Sequence, residues 1–164
     1  RDLMDQALPE RFADLITRHG VPPGSLVLEI TESAIMDDPQ RALLTLNRLH
    51  GMGLRLSIDD FGTGYSSLAY LKSLPVDELK IDRSFVKAME SDHQDAKIVT
   101  STVELAHSLG LSVVAEGVEN PHTWSLLTQL GCDEAQGHFI ARPMPAADFH
   151  AWVRQWVPGH QAPA

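Results

Sequence analysis

The chain has 164 residues, 43% of them hydrophobic, which is enough to bury one core and suits a single domain. Its 13 basic residues stand against 22 acidic ones, a formal charge of -9 that argues against wrapping a long nucleic-acid backbone but leaves room for a small phosphate ligand. No apolar run approaches the roughly 20 residues that span a bilayer, and no basic-then-apolar leader opens the chain, so no membrane contact from this segment and a cytoplasmic location are expected.

In chain order, residues 9–19 place Phe12, Leu15 and Ile16 on one helical face and stop at Gly20. Residues 26–31 read as a buried strand carrying Glu29, with Glu32 just past its end. Asp38-Pro39 caps a helix over 38–50, lined by Leu43, Leu44, Leu46 and Leu49 and closed by Gly51. A second strand, 54–58, runs into Asp59 and Asp60, and a third, 78–82, carries Lys80. A helix over 94–109 ends at Gly110, ahead of a strand at 112–115 that runs into Glu116 and Glu119. Asn120-Pro121 opens a helix over 121–130, ended by Gly131; a last strand, 134–137, carries Gln136, and a last helix covers 146–156. Residues 1–157 are expected to form the domain and 158–164 a frayed tail.

The strands are near-continuous apolar runs, which favours a parallel sheet covered on both faces, and their alternation with helices implies right-handed βα units. Every strand brings a polar or charged residue to its C-terminal end. An open doubly wound sheet concentrates such groups at one switch point, whereas a (β/α) barrel spreads them around its mouth, so the expected class is α/β with a barrel of the TIM type. Such barrels take about 250 residues, so 164 hold about five units, and the expectation is a partial barrel without its first strands. Open sheet edges would make it unstable, oligomeric or strand-swapped.

Adjacent carboxylates at a strand end suit two nearby hard cations, which take oxygen ligands and share carboxylates. Asp59-Asp60 is followed by Phe61-Gly62-Thr63-Gly64-Tyr65-Ser66-Ser67, where two glycines free the backbone for a tight loop; alone, that loop is a plain turn about as often as a phosphate cradle. With Leu28-Glu29-Ile30-Thr31-Glu32-Ser33, Leu79-Lys80-Ile81-Asp82, Ala115-Glu116-Gly117-Val118-Glu119, Ala135-Gln136-Gly137-His138-Phe139 and Arg142-Pro143-Met144-Pro145, these segments closely resemble the EAL-domain family of cyclic di-GMP phosphodiesterases, over nearly the whole chain.

The resemblance implies a role for each matched residue. Glu29, Asp59, Asp60 and Glu116 would ligate a two-metal site holding Mg²⁺ or Mn²⁺, with Asp59 bridging. Lys80 would orient the attacking water, and Glu116 would bind the second cation or take the water's proton. Glu32 would hydrogen-bond into the loop over 61–67, including Phe61, Gly62, Thr63 and Gly64, while Glu119 and Gln136 would complete the rim. It further implies cyclic di-GMP as the bound partner, a linear dinucleotide as product, a homodimer in the parent protein, and sensor or GGDEF-type domains upstream. A metal-binding glutamate and an asparagine of the family would lie before Arg1.

Other residues have plainer readings. Asp82 suits a helix N-cap ahead of Ser84, Glu104 a solvated helix face, and Cys132 a small buried thiol. The eight histidines lack metal spacing, and Trp124, Trp152 and Trp156 suit core or interface packing. Two further functions compete with hydrolysis. One is a non-catalytic cyclic di-GMP-binding module, disfavoured because every metal ligand the chain can display is retained. The other is a Schiff-base Lys80, disfavoured because surrounding acids favour its ammonium.

Overall fold

The structure, a computed structural model, describes residues 2–62 and 68–158. Its elements run β1 (Val27–Thr31), β2 (Arg55–Phe61), β3 (Glu78–Ile81), β4 (Ser112–Glu116) and β5 (Glu134–Gln136). The helices are α1 (Leu8–His19), α2 (Glu32–Met36), α3 (Pro39–Gly51), α4 (Leu68–Leu71), α5 (Arg83–Ala88), α6 (His93–Ser108), α7 (Pro121–Gln129) and α8 (Ala146–Gln155). The strands follow sequential sheet order β1-β2-β3-β4-β5, and the β1–β2 and β4–β5 pairings are parallel. Among the described residues, no helix is long and apolar enough to cross a membrane.

The expected strands and long helices all form, with ends shifted by at most one residue, except that β2 runs three residues further than expected, to Phe61. Three short helices escape the periodicity argument. The helices α2, α4 and α5 span only four to six residues, too few to establish a 3.6-residue repeat. Local chemistry explains two of them: the Thr31 hydroxyl accepts from the Ala34 amide at the start of α2, and Asp82 accepts from the Ser84 amide at 2.9 Å to cap α5. Helix ends follow the glycine argument with one correction. Gly51 is the last residue of α3, and the left-handed residue that follows is Gly53, at φ 86°.

Burial on both faces holds for β3, whose four residues are all buried, but not for β1 or β5. The latter two stand at the ends of the sheet order, and Val27 is 40% exposed. A terminal strand lacks one neighbour, so its side chains stay open where an interior strand's are covered.

Two compact units divide the chain: Arg1–Lys80 with Leu109–Leu111, and Ile81–Ser108 with Ser112–Ala164. In the first, Leu46 and Leu49 of α3, Leu54, and Leu56 of β2 are fully buried. In the second, Val86 of α5, Val99 and Val103 of α6, Val113 of β4 and Val118 form the core. Each unit ties strand starts by the same device. In the first, Asp77 accepts the Leu56 amide at 2.8 Å and lies 3.6 Å from His50; in the second, Asp133 accepts the Val113 amide at 2.8 Å and pairs with His107 at 2.9 Å. Such anchoring at the strand N-termini leaves the C-terminal ends for chemistry.

Candidate functional site

In the first unit, β2 continues past Ile58 through Asp59, Asp60 and Phe61, so the aspartates lie inside the strand rather than beyond it. Alternation would send neighbouring side chains to opposite faces. Asp60 breaks it by taking φ 56°, the one left-handed non-glycine residue among those described, and Gly62 follows at φ 95°. The two carboxylates consequently present oxygens within 4.8 Å of each other.

Lys80 of β3 lies beside Asp59. Its side chain is 4% exposed, and its ammonium stands 2.8 Å from Glu29 Oε1 and 3.3 Å from Asp59 Oδ1. A buried ammonium is tolerable only with such anionic partners. Glu29 corrects the expectation of carboxylates held beside the interior: its side chain is 52% exposed because it projects from the terminal strand β1, whereas that of Asp59 is 22% exposed.

Glu32 opens α2 and is 5% exposed, with neither carboxylate oxygen hydrogen-bonded among the described residues. It lines a small apolar recess with Ile35, Ile58, Tyr70 and Leu71. Phe61 is buried, but Thr63 and Gly64, and with them most of the loop expected to receive Glu32, lie outside the described residues.

In the second unit, β4 ends at Glu116, and β5 sets Gln136 opposite it in register. The turn after β4 is tightly fastened. Gly117 takes φ 72° where a Cβ would come within 2.7 Å of Arg83 Cβ, and the Val118 amide donates to the Gln136 carbonyl at 3.1 Å. The Val118 carbonyl accepts from the Phe139 amide at 3.0 Å, and Glu119 pairs with Lys87 at 2.6 Å. That hydrogen bond holds the Glu119 carboxyl below its ordinary range. The groups border a cavity of about 1020 Å³, also lined by Arg83, Lys87 and Arg142. Arg83 and Lys87 had no signal in the sequence because α5 is too short for its facing to be read.

Asp82 caps α5, Glu104 is exposed, and the described histidines lie at the surface. Trp124 packs against Phe139 and Trp156, and Trp152 stacks on Trp156. Cys132 is partly buried, its thiol 3.3 Å from the Glu134 carbonyl, and burial pushes its pKa up to about 11. A thiol so protonated is a poor nucleophile. At neutral pH, iodoacetamide should label Cys132 only after denaturation, as read by intact mass; rapid labelling of the native protein would contradict this.

Residues 1–143 match the model of the EAL domain family. The chain belongs to that family. As an EAL chain it is 48% identical over 146 residues to the bifunctional diguanylate cyclase/cyclic di-GMP phosphodiesterase MucR of Pseudomonas aeruginosa, covering 89% of this chain and 21% of that protein. It is 43% identical over 147 residues to the cyclic di-GMP phosphodiesterase RocR of the same organism, covering 90% and 38% respectively. The structure of the PaMucR phosphodiesterase in complex with c-di-GMP superposes with a TM-score of 0.87 at 46% identity, over 90% of this chain and 60% of that one. This EAL chain therefore spans well under half of those two curated relatives, and its α/β fold is that of part of an EAL-type TIM barrel.

Proposed function

We propose that this EAL chain serves the hydrolysis of cyclic di-GMP to linear pGpG with Mg²⁺ or Mn²⁺, in the protein to which it belongs. The observation that carries the reading is the buried ammonium of Lys80 set between Glu29 and Asp59, with the Asp60 carboxylate beside that of Asp59. The donor set fits hard divalent cations: it is all carboxylate oxygen, and Asp59 Oδ1, buried 3.3 Å from the Lys80 ammonium, accepts no hydrogen bond among the described residues. Glu29, Asp59, Asp60 and Glu116 would hold the ions. When bound, the cations supply neutralisation of the phosphoryl oxygens and a more acidic attacking water.

The chain's own groups perform the remaining work. Lys80 Nζ orients the water by donating to its oxygen, and its charge offsets that of the phosphodiester. A Glu116 carboxylate oxygen accepts the water's proton. Water oxygen bonds to phosphorus, the P–O3′ bond breaks in line, and the released 3′-oxygen takes up a proton. Glu119 and Gln136 bind the dinucleotide at the rim, and Glu32 supports the loop that begins at Phe61 and Gly62. The names of MucR and RocR, and the PaMucR complex with c-di-GMP, support the choice of substrate.

The test is anion-exchange chromatography of cyclic di-GMP incubated with the full-length protein. Linear product should form with Mg²⁺ or Mn²⁺, cease with EDTA and return on adding metal. Glu116→Gln should lower turnover about 10²–10⁴-fold. Binding without turnover in saturating Mn²⁺ would replace hydrolysis with a regulatory binding role; absence of both would overturn the reading.

A further inference from the structure

The turn joining β4 to α7 carries Glu119 and follows directly on Glu116, and each of its residues is held by an element distant in sequence. Gly117 lies against Arg83, and Val118 is stitched through both its backbone groups to Gln136 and Phe139. Glu119 is paired with Lys87, while Asn120 Nδ2 donates to Glu90 Oε1 at 2.8 Å. Thr123 also donates its hydroxyl to Glu90, and the two bonds hold the Glu90 carboxyl below its ordinary range. Arg83, Lys87 and Glu90 are spaced i, i+4, i+7, one stripe of α5 and the turn after it. Asn120 in turn caps α7, accepting the His122 and Thr123 amides at 2.9 Å each.

We infer that this stripe is a template for the β4–α7 turn, and that Lys87 is a positioning residue that holds Glu119 toward the ligand cavity. The inference rests on the proposed phosphodiesterase reading for its ligand but not for its geometry. Three features support it. Lys87 and Glu119 both line the cavity, so the pair sits where a ligand's edge would lie. The pair is half-exposed on both sides, 47% and 49%, and such pairs add little to global stability. Removal of Lys87 should therefore leave the fold intact while releasing the turn. Val118 is fastened through its main chain, whereas the Glu119 carboxylate is tied through its side chain to Lys87, so it is the side-chain pair that sets where this carboxylate points.

The experiment compares Lys87→Ala and Lys87→Arg with the parent in the full-length protein, by hydrogen exchange without ligand and by cyclic di-GMP kinetics with Mn²⁺. Lys87→Ala should leave the melting temperature unchanged but speed exchange of the Val118 amide about tenfold. It should raise KM about tenfold with kcat within about threefold of the parent, and Lys87→Arg should restore both readouts. Unchanged exchange in Lys87→Ala overturns the template; faster exchange with an unchanged KM overturns the positioning role. A parent without cyclic di-GMP turnover refutes the proposed function instead, and the exchange result then decides the template alone.

Discussion

Replacing Lys80 with alanine is expected to lower cyclic di-GMP turnover about 10²–10⁴-fold while weakening ligand binding less than about tenfold. The ammonium is nearly sealed from solvent and in reach of two carboxylates, 2.8 Å from Glu29 and 3.3 Å from Asp59. Its loss leaves the Asp59 charge partly buried without its partner, which should cost about 1–3 kcal/mol of stability. Lys80→Arg keeps the charge, but the flat guanidinium demands a different donor geometry, so it should recover stability better than turnover. Single-turnover kinetics with Mn²⁺ and urea unfolding separate the two effects. Parental turnover in Lys80→Ala would remove Lys80 from the mechanism.

Gly137→Ala should produce the largest loss of stability, about 3 kcal/mol or more. A Cβ at Gly137 would lie 2.1 Å from the Val118 carbonyl oxygen and 2.4 Å from its nitrogen, and these backbone atoms cannot move aside as a side chain would. Relief requires separating the turn after β4 from the segment after β5, which breaks the bonds of Val118 to Gln136 and Phe139. Gly20→Ala is the control. Gly20 is left-handed at φ 62° with nothing within 4 Å of its would-be Cβ, so alanine there should cost only about 1 kcal/mol. Urea midpoints compare the two; equal losses would show that the close approach at Gly137 is not what the glycine serves.

The two substitutions differ in how far sequence reasoning could reach them. Lys80 was legible because it is the one basic residue of the segment 78–82, where Glu78, Lys80 and Asp82 alternate with Leu79 and Ile81 and so read as a strand with a charged group near its C-terminal end. Gly137 was visible only as part of a family segment, because its function is set by a backbone 19 residues away. The contrast also holds for Asp59 and Asp60. Their adjacency marked them as a pair, but strand alternation would have turned them apart; the left-handed Asp60 that brings their oxygens together has no sequence signature, since aspartate adopts that conformation only occasionally.

Sequence by itself determined the order of strands and long helices, the caps at Asp38, Asp82 and Asn120, and the parallel βα character. Each follows from periodicity or from hydrogen bonds closed within a few residues. Tertiary structure decided which charges meet: Lys80 with Glu29 and Asp59, Lys87 with Glu119, Glu90 with Asn120 and Thr123. These partners stand 21 to 51 residues apart along the chain. Local propensity acts over a few residues, whereas these pairings come from strand register and helix packing, which exist only once the elements are assembled.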